Sequence, residues 1–354
     1  MSVTKELFED KKILVTGGVG SVGRMLIREL LKYNPEVVRV FDIDETRQFE
    51  MQQDLKEYSN LRFLLGDIRD KERLFRAIEG IDIIFHAASL KHVYACEYNP
   101  FEAVKTNVMG TQKLIDVAIA EEVDKVIFTS SDKSVNPSNV LGATKLLAER
   151  LIIAANYYKG SRRTKFSNVR FGNVISSRGS VVPLFIKQIQ MGGSVTVTDP
   201  EMTRFVLLMS QAINLMFRAT ELMQGGEIFV PKMPALKVLD LAEVLIEEFS
   251  PKRGNGEDRI KIEITGRKPG EKLFEELVTE DEVRRSLEIE DMFIVLPEIT
   301  GYMEVDKTRY PNARKAKLRS YRSKDAEILT KREIKDLLCK EALANKQFHT
   351  ESCI

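Results

Sequence analysis

Cysteine is scarce in this chain, long apolar runs are missing, and neither sign of charge dominates. The 354 residues include three cysteines, Cys96, Cys339 and Cys353, which lie far apart and form no CxxC pair. This spacing predicts neither a disulfide framework nor a zinc site. Lysine and arginine number 54 against 53 for aspartate and glutamate, which gives a net charge of +1. Such a balance gives no support for a nucleic-acid partner.

Segments that would enter a membrane or direct export are also missing. No apolar run approaches the roughly 20 residues that cross a bilayer. The N-terminal segment MSVTKELFEDKK lacks the apolar core of a signal peptide. With 43% hydrophobic and 30% charged residues, the composition excludes bulk disorder. We therefore expect a folded cytoplasmic protein without membrane insertion.

Short apolar runs alternate with helical patterns through the first half of the chain. The expected strands are Lys12–Thr16, Val37–Phe41, Leu61–Leu65, Ile81–Phe85, Lys125–Thr129 and Lys165–Arg170, and the longest expected helices are Phe101–Ala120 and Leu141–Tyr158. Buried strands separated by helices indicate a parallel sheet that is covered on both faces. Right-handed crossovers then give an α/β doubly wound, or Rossmann, fold.

The pattern loosens after about residue 180, where the expected strands become shorter. We expect a Rossmann domain that binds NAD(P) over residues 1–180 and a smaller nucleotide-sugar-binding lobe over residues 181–300, which partly returns to the main sheet. Residues 301–354 form a polar, basic C-terminal segment that includes RKAKLRSYRSK. We interpret this basic stretch as a solvated face.

A glycine loop, TGGVGSVG at residues 16–23, joins the first expected strand to the first helix. Gly17, Gly20 and Gly23 allow a sharp turn, a close approach to a pyrophosphate, and tight packing of the helix on its strand. Ser21 and Val22 open that helix, so their backbone N–H groups face the phosphates. A glycine motif between a strand and a helix predicts a dinucleotide site.

An acidic residue at the end of the second strand favours NAD over NADP. The Asp42 carboxylate can accept hydrogen bonds from a ribose 2′-OH and would repel a 2′-phosphate. Arg47 lies nearby and can soften this preference, so NADP stays possible. His86 is either a cofactor-side residue or a packed core histidine. Residues expected beside the cofactor after the third and fourth strands are Asp67, Ile68, Ala87 and Ala88.

Several longer motifs identify a family resemblance that covers most of residues 12–280. They are TGGVGSVG (16–23), ASLKHVYACEYNPFEAVKTNVMGTQ (88–112), TSSDKSVNPSNVLGATK (129–145), VRFGNVISSRGSVVPLF (169–185), VTDPEMTRF (197–205) and GRKPGEKLFEEL (266–277). The chain resembles the extended short-chain dehydrogenase/reductase superfamily. Within that superfamily it resembles the polysaccharide-biosynthesis group of UDP-N-acetylglucosamine 4,6-dehydratases.

The resemblance implies an NAD-dependent loss of water across C5 and C6 of a UDP-linked hexosamine. It implies that Asp132 is the acid at the C6 oxygen, that Lys133 is the base at C5, and that Ser131 bonds the C4 oxygen. Lys145 would hold the nicotinamide ribose, and Asn107 would help to position the cofactor. A lysine acts as a base only where its surroundings lower its pKa.

One position departs from the superfamily pattern. Leu141 stands four residues before Lys145, where most members have a tyrosine, and a leucine cannot take the proton of the C4 hydroxyl. Lys133, Asp132 or a water relay can fill that role. The alternatives are a 4-epimerase acting on UDP-glucose or UDP-N-acetylglucosamine, which usually needs the tyrosine, and a non-catalytic NAD-binding subunit. The adjacent Asp132 and Lys133 favour dehydration.

The resemblance also implies a set of residues for the UDP-sugar and a homo-oligomer. Guanidinium groups bind phosphate with two parallel hydrogen bonds, so Arg204 and Arg267 are expected to converge on the diphosphate. The helices Phe101–Ala120 and Leu141–Tyr158 are the expected dimer face. Whether C5 is inverted or retained stays open. The expected substrate-binding residues are Lys91, His92, Asn173, Arg178, Arg204, Arg267 and Glu271.

Overall fold

A computed structural model of the chain describes residues 4–175, 177–250, 260–299 and 305–345. The strands in these ranges are β1 (Lys12–Thr16), β2 (Val37–Asp42), β3 (Leu61–Leu65), β4 (Ile83–His86), β5 (Lys125–Ser131), β6 (Lys165–Phe171), β7 (Asn173–Val174), β8 (Val195–Val197), β9 (Thr203–Leu207), β10 (Ile228–Pro231), β11 (Ala235–Lys237), β12 (Ile262–Ile264), β13 (Glu276–Val278), β14 (Ser286–Glu288), β15 (Met292–Val295), β16 (Arg314–Lys315) and β17 (Tyr321–Arg322).

The helices of the same ranges fall between these strands. They are α1 (Ser21–Leu31), α2 (Glu45–Asp54), α3 (Lys71–Ile78), α4 (Val93–Tyr98), α5 (Pro100–Ala103), α6 (Thr111–Ala120), α7 (Val140–Tyr158), α8 (Val181–Gln190), α9 (Met209–Leu222), α10 (Val238–Phe249), α11 (Glu280–Val283) and α12 (Lys331–Asn345). Short 3₁₀ turns lie at Lys5–Leu7, Asp132–Ser134 and Lys307–Arg309, and Val104–Gly110 is a π-helix.

Side-chain caps explain where several helices begin. Asp44 accepts a hydrogen bond from the Arg47 N–H at the start of α2, and Asp70 accepts one from the Arg73 N–H at the start of α3. At the start of α7, the Asn139 side chain accepts from the Gly142 N–H at 2.7 Å. Asp and Asn are preferred at this position because they satisfy N–H groups that have no partner within the helix.

A large twisted sheet organises the part of the chain that carries the glycine loop. Its ten strands, counted over the described residues, run in the order β16-β14-β15-β10-β6-β5-β4-β1-β2-β3. The seven strands from β3 to β10 in this order are parallel, and β15, β14 and β16 extend the sheet with antiparallel pairs. The strand order reverses between β1 and β4, which is where doubly wound sheets bind ligands. The expected α/β doubly wound fold is therefore confirmed.

The sheet core explains why its strands are almost continuously apolar. Side chains from the strands, such as Leu14 and Val126, pack against Leu74 of α3, Leu114 of α6 and Ile152 of α7. Strands that are buried on both faces need no alternation with polar residues.

The described chain divides into two compact units. The first comprises Met1–Phe171, Ile213–Lys232 and Leu277–Ser320, and the second comprises Gly172–Ala212, Met233–Glu276 and Tyr321–Ile354. The second unit holds the three-stranded sheet β11-β9-β7 and the parallel pair β12-β8.

The two units interleave along the chain because β10, β14, β15 and β16 return to the β6 edge of the main sheet. The sequence predicts consecutive segments with boundaries at residues 180 and 300, of which the segment over residues 181–300 partly returns to the main sheet. Those boundaries stay a prediction, and the units divide the chain at different points.

One local expectation needs correction. The helix expected over Phe101–Ala120 is divided into α5, a π-helical stretch and α6. Cys96 is a free, buried thiol. None of the helices in the described ranges combines the length and the apolar character that a bilayer span requires.

Candidate active site

The glycine loop packs so tightly against its neighbours that side chains are excluded. Gly17 has a φ of +68°, and a Cβ on it would lie 2.7 Å from the Ala88 N. A Cβ on Gly23 would lie 2.4 Å from the Gly17 O. Gly20 donates its N–H to the Gly17 O at 3.0 Å, so the loop folds back on itself before Ser21 and Val22 begin α1. The backbone is left free to approach a pyrophosphate at this helix N-terminus.

The carboxylate of Asp42 lies against the same loop. Its Oδ2 accepts from the Val19 N–H at 3.1 Å, and its Oδ1 accepts from the Asp44 N–H at 3.2 Å. The Arg47 guanidinium lies 3.2 Å from the Asp44 carboxylate. A carboxylate beside a glycine loop that has no room for side chains fits the ribose and pyrophosphate of a dinucleotide.

The other residues expected beside the cofactor follow β3 and β4. Burial alone would raise the pKa of Asp67, but hydrogen bonds from Arg69 and its positive charge lower it below the ordinary value. Ile68 is buried, and a Cβ on Gly110 would lie 2.9 Å from its Cγ2. Ala87 and Ala88 follow β4 and donate their N–H groups to the backbone and hydroxyl oxygens of Thr16, at 3.1 and 3.4 Å.

His86 belongs to a buried chain of hydrogen bonds. Its Nδ1 lies 2.7 Å from the Thr16 Oγ1 and its Nε2 lies 3.0 Å from the Thr111 Oγ1. The Thr111 hydroxyl donates to the Asn107 O at 2.7 Å, so we infer that it accepts from a protonated Nε2. Burial, with a smaller effect of the Lys145 charge, lowers the pKa of His86 to about 3. Of the two readings of His86, the geometry therefore favours the neutral core histidine.

Asn107 lies in the π-helix and joins three parts of the first unit. Its Oδ1 accepts from the Leu90 N–H at 2.8 Å, and its Nδ2 donates to the Thr144 Oγ1 at 3.0 Å. Thr144 precedes Lys145 on α7. Asn107 thus ties the loop after β4 to the helix that carries the lysine, and π-helical turns are frequent at functional sites.

Ser131, Asp132 and Lys133 form a compact acid–base group at the carboxyl end of β5. The Ser131 hydroxyl donates to the Asp132 Oδ1 at 2.7 Å, and the Lys133 Nζ lies 3.0 Å from the same oxygen. The Asp132 side chain is fully buried, whereas that of Lys133 is 24% exposed. The Asp132 Oδ2 is buried without a hydrogen-bond partner among the described residues. A 3₁₀ turn over Asp132–Ser134 holds the group together.

Lys145 reaches this edge of the sheet from α7. Its Nζ donates to the Thr129 O at 3.0 Å and lies 4.8 Å from the centre of the Phe128 ring. Burial lowers the pKa of Lys145 to about 8, although the charges of Glu149 and Cys96 act in the opposite direction. The amine is thus close to the range in which it can exchange a proton near neutral pH.

Leu141 is buried in a small apolar cluster with Cys96 and Ala103. The position at which most of the superfamily has a tyrosine therefore carries no proton acceptor. Lys91 and His92 are exposed and lie directly before α4. They stay predictions as substrate-binding residues.

The second unit contains an apolar cavity with polar groups at its wall. The cavity has a volume of about 20 Å³, and its lining includes Asn173, Ser180, Val182 and Arg204. Asn173 lies on β7, and its Oδ1 is buried without a hydrogen-bond partner among the described residues.

Arg204 makes structural hydrogen bonds that the sequence does not predict. Its guanidinium donates to the backbone oxygens of Thr203, Lys272 and Leu273 at 2.8 to 3.3 Å. Glu271 lies 4.0 Å from the same guanidinium. These contacts hold the GRKPGEKLFEEL segment to β9.

The remaining arginines of the expected set lie elsewhere in the second unit. Arg267 is 53% exposed and lies 3.8 Å from the Asp199 carboxylate. Arg178 is half-buried and follows β7. The expected convergence of Arg204 and Arg267 on one diphosphate stays a prediction.

The doubly wound sheet, the glycine loop, the acidic end of β2 and the lysine of α7 together define an extended short-chain dehydrogenase/reductase. The family described as "Polysaccharide biosynthesis protein" matches residues 13–297, and the chain belongs to this family.

Three curated relatives cover most of the chain. A protein of Methanocaldococcus jannaschii described as an uncharacterized membrane protein is 54% identical, over 94% of this chain and 96% of its own length. The inverting UDP-N-acetylglucosamine 4,6-dehydratase of Campylobacter jejuni is 41% identical, over 83% and 85%. A UDP-glucose 4-epimerase of Rickettsia rickettsii is 36% identical, over 94% and 96%.

Solved structures share the fold. Pen from Bacillus thuringiensis is 46% identical and superposes with a TM-score of 0.86, over 94% of this chain and 99% of its own. The dTDP-glucose 4,6-dehydratase of Streptomyces venezuelae, solved with NAD bound, is 23% identical with a TM-score of 0.66, over 74% and 86%. At 23% identity, the similarity to the Streptomyces structure is evidence for the fold alone.

Proposed function

We propose that the protein catalyses the NAD-dependent 4,6-dehydration of UDP-N-acetylglucosamine to a UDP-4-keto-6-deoxy-hexosamine, for the synthesis of a surface polysaccharide or glycan. The observation that carries the proposal is the Ser131–Asp132–Lys133 group at the carboxyl end of β5. The Campylobacter relative, named for this reaction, and the polysaccharide-biosynthesis family support it.

NAD is the proposed cofactor, and the first unit offers residues that would hold it. The glycine loop at the start of α1 suits its pyrophosphate, Asp42 suits the adenosine ribose, and Lys145 suits the nicotinamide ribose. When bound, NAD supplies the oxidation of the sugar C4 and the later reduction of C6, so that the net change is the loss of one water.

The protein itself supplies the acid and the base. We assign Lys133 to removal of the proton at C5, which the C4 ketone makes acidic, and Asp132 to protonation of the C6 hydroxyl as it leaves. The two side chains touch in the free protein, at 3.0 Å, so a proton can be shared between them.

The C4 hydroxyl needs an acceptor other than residue 141. Ser131 donates to the Asp132 carboxylate at 2.7 Å, so a C4 hydroxyl bonded to Ser131 has a route for its proton toward Asp132. Lys133 and a water relay stay the other candidates. For the nucleotide, we keep Asn173, Arg204 and Glu271 as the residues that the family resemblance implies.

A 4-epimerase is the second candidate, and the Rickettsia relative specifically favours it. The buried Leu141 counts against it, because epimerisation on this scaffold relies on a proton acceptor at that position and has no use for an acid at C6. A non-catalytic NAD-binding subunit would have no chemical need for the Asp132–Lys133 pair.

The deciding experiment is incubation of the purified protein and NAD with UDP-N-acetylglucosamine, followed by mass and proton spectra of the product. Dehydration predicts the loss of one water and a new 6-methyl doublet. An unchanged mass with altered couplings at C4 would establish epimerisation instead. Bound NAD without any product from UDP-N-acetylglucosamine or UDP-glucose would overturn both catalytic proposals.

The assigned base is tested in the same assay run in deuterated water. Lys133→Ala should stop deuterium incorporation at C5 and leave NAD binding intact. Lys105→Ala is the matched control, because Lys105 is a partly exposed lysine of the same unit that pairs with Glu102. Deuterium at C5 at the normal rate in Lys133→Ala would assign the base elsewhere.

A further inference from the structure

A buried cluster of charge links α7, β6 and α11 in the first unit. Its members are Glu149, Arg170 and Glu282, whose side chains are 1%, 1% and 8% exposed. Charged groups are rarely buried to this degree unless they are paired. Arg170 lies within the VRFGNVISSRGSVVPLF motif, but the sequence assigns no role to any of the three residues.

Arg170 uses all five of its N–H donors within this cluster. Its Nε and Nη2 donate to the two carboxylate oxygens of Glu149 at 3.0 and 2.7 Å. Its Nη1 and Nη2 donate to the two oxygens of Glu282 at 2.9 and 3.0 Å, and Nη1 also donates to the Leu277 O at 2.8 Å. Both glutamates raise the pKa of Arg170 against the opposing effect of burial. This geometry fixes Glu149 in one orientation.

The cluster reaches the acid–base turn through Ser134. The Ser134 Oγ lies 2.9 Å from the Glu149 Oε1 and 2.7 Å from the Ser131 O. Ser134 is fully buried and directly follows Asp132 and Lys133. The oriented Glu149 therefore holds the end of the turn on which the acid and the base lie.

The cluster also faces Lys145. Glu149 lies one helical turn beyond Lys145 on α7, where residues four apart are neighbours. The other titratable groups that face the Lys145 amine are Cys96 of α4 and His86 of β4, and the Thr129 O accepts its hydrogen bond. Of the carboxylates in this cluster, Glu149 is the one whose charge acts on the Lys145 amine.

We infer that Arg170 and Glu149 are positioning residues, which hold the Asp132–Lys133 turn through Ser134 and place a fixed negative charge beside Lys145. The catalytic meaning of this inference rests on the proposed function. The effect of the Glu149 charge on Lys145, which we call the charge component, does not rest on the proposed function, because it can be measured without any sugar.

The first test follows the reactivity of Lys145. Glu149→Gln keeps the shape of the side chain and removes its charge, so the Lys145 pKa should fall further. In competitive acetylation read by peptide mass spectrometry, labelling of Lys145 at neutral pH should rise by roughly threefold or more. Glu227→Gln is the matched control, because Glu227 is an equally buried carboxylate of the first unit that receives hydrogen bonds from Ser167 and Tyr310. It should leave Lys145 labelling unchanged.

The second test removes the link to the turn. Ser134→Ala leaves the ion pairs intact, and we expect kcat to fall by roughly tenfold or more, with KM and NAD affinity within about twofold. Ser134→Thr keeps the hydroxyl and should restore part of the loss.

The outcomes separate this inference from the proposed function. Raised Lys145 labelling in Glu149→Gln with no dehydration by the wild type would support the charge component and overturn the proposed reaction. Dehydration by the wild type with unchanged labelling in Glu149→Gln, or with equal changes in Glu227→Gln, would overturn the charge component. Unchanged kcat in Ser134→Ala would overturn the link to the turn.

Discussion

The imidazole of His86 is held neutral between two threonine hydroxyls, and this has a consequence for stability. Its pKa is lowered to about 3 in the folded protein, from an ordinary value of 6.5. At pH values between these two, His86 is protonated in the unfolded chain and neutral in the folded chain. The unfolding free energy should therefore fall as the pH drops below about 6.5, by about 1.4 kcal/mol per pH unit at full effect.

Urea unfolding at a series of pH values from 7.5 to about 4.5 tests this contribution. His86→Gln should be less stable at pH 7.5 and should lose part of the pH dependence, because glutamine does not titrate. The exposed His92 gives the matched control, His92→Gln, which should keep the wild-type profile. Parallel profiles for wild type and His86→Gln would show that His86 binds protons equally in the folded and unfolded states.

Some contacts between residues of the candidate site could be predicted from the sequence, and others could not. Asp132 and Lys133 are neighbours in the chain, so their contact at the end of a strand was predictable. Glu149 and Arg170 lie 21 residues apart, and Glu282 lies a further 112 residues on, so only the fold brings these charges together. Arg204 shows the converse. Its motif predicts phosphate binding, but its geometry shows hydrogen bonds to three backbone oxygens.

Among the elements, the β1–α1 junction depends on glycine in a way that a single methyl group tests. A Cβ on Gly23 would lie within 2.4 to 2.8 Å of backbone atoms of Gly17 and Gly18, which have no side chain that can move aside. We expect Gly23→Ala to destabilise the protein by about 1–3 kcal/mol and to weaken NAD binding. Denaturant unfolding and calorimetric titration with NAD measure both.

Gly193→Ala is the control for this substitution. Its added Cβ would lie no closer than 3.9 Å to the Gln188 O, an ordinary contact. Stability should stay equal or rise slightly, because alanine has less freedom in the unfolded chain. Equal NAD affinity in Gly23→Ala and wild type would show that the glycine loop does not contribute to NAD binding.

The helix between β4 and β5 shows where pattern-based prediction of elements stops. The apolar pattern over Phe101–Ala120 is continuous, so it predicts one α-helix. The π-helical stretch Val104–Gly110 is associated with hydrogen bonds from Asn107 to Leu90 and Thr144, 17 and 37 residues away. The periodicity of a local segment cannot predict hydrogen bonds to residues so distant in the sequence. The parallel strands were predictable because each is a short apolar run with its own helix after it.

For the molecule as a whole, the sequence predicts linear segments, while the structure interleaves two units. The sequence predicts that the smaller lobe partly returns to the main sheet. The strands β10, β14, β15 and β16 are short, however, and their local sequence does not indicate which of them pair with a sheet begun more than 200 residues earlier. The expected homo-oligomer stays a prediction. Phe101, Met109, Leu147 and Tyr158 lie on its expected helical face and are 45% to 63% exposed in the single chain.

Cofactor preference is a property of the whole molecule, because any ligand that binds only the folded chain raises its stability. At a free concentration 100 times the Kd, the gain is about 2.7 kcal/mol. The Asp42 carboxylate suits a ribose diol and repels a 2′-phosphate, so NAD should raise the Tm clearly more than NADP at equal concentration. Asp42→Asn should reduce the difference by weakening the NAD shift and strengthening the NADP shift. Asp54→Asn changes an exposed carboxylate of α2 that pairs with Arg24 and Arg28, and it should keep the wild-type preference. A larger Tm shift with NADP than with NAD in the wild-type protein would mean that another residue binds the 2′-phosphate and outweighs the repulsion from Asp42. Arg47→Ala should then abolish this preference for NADP.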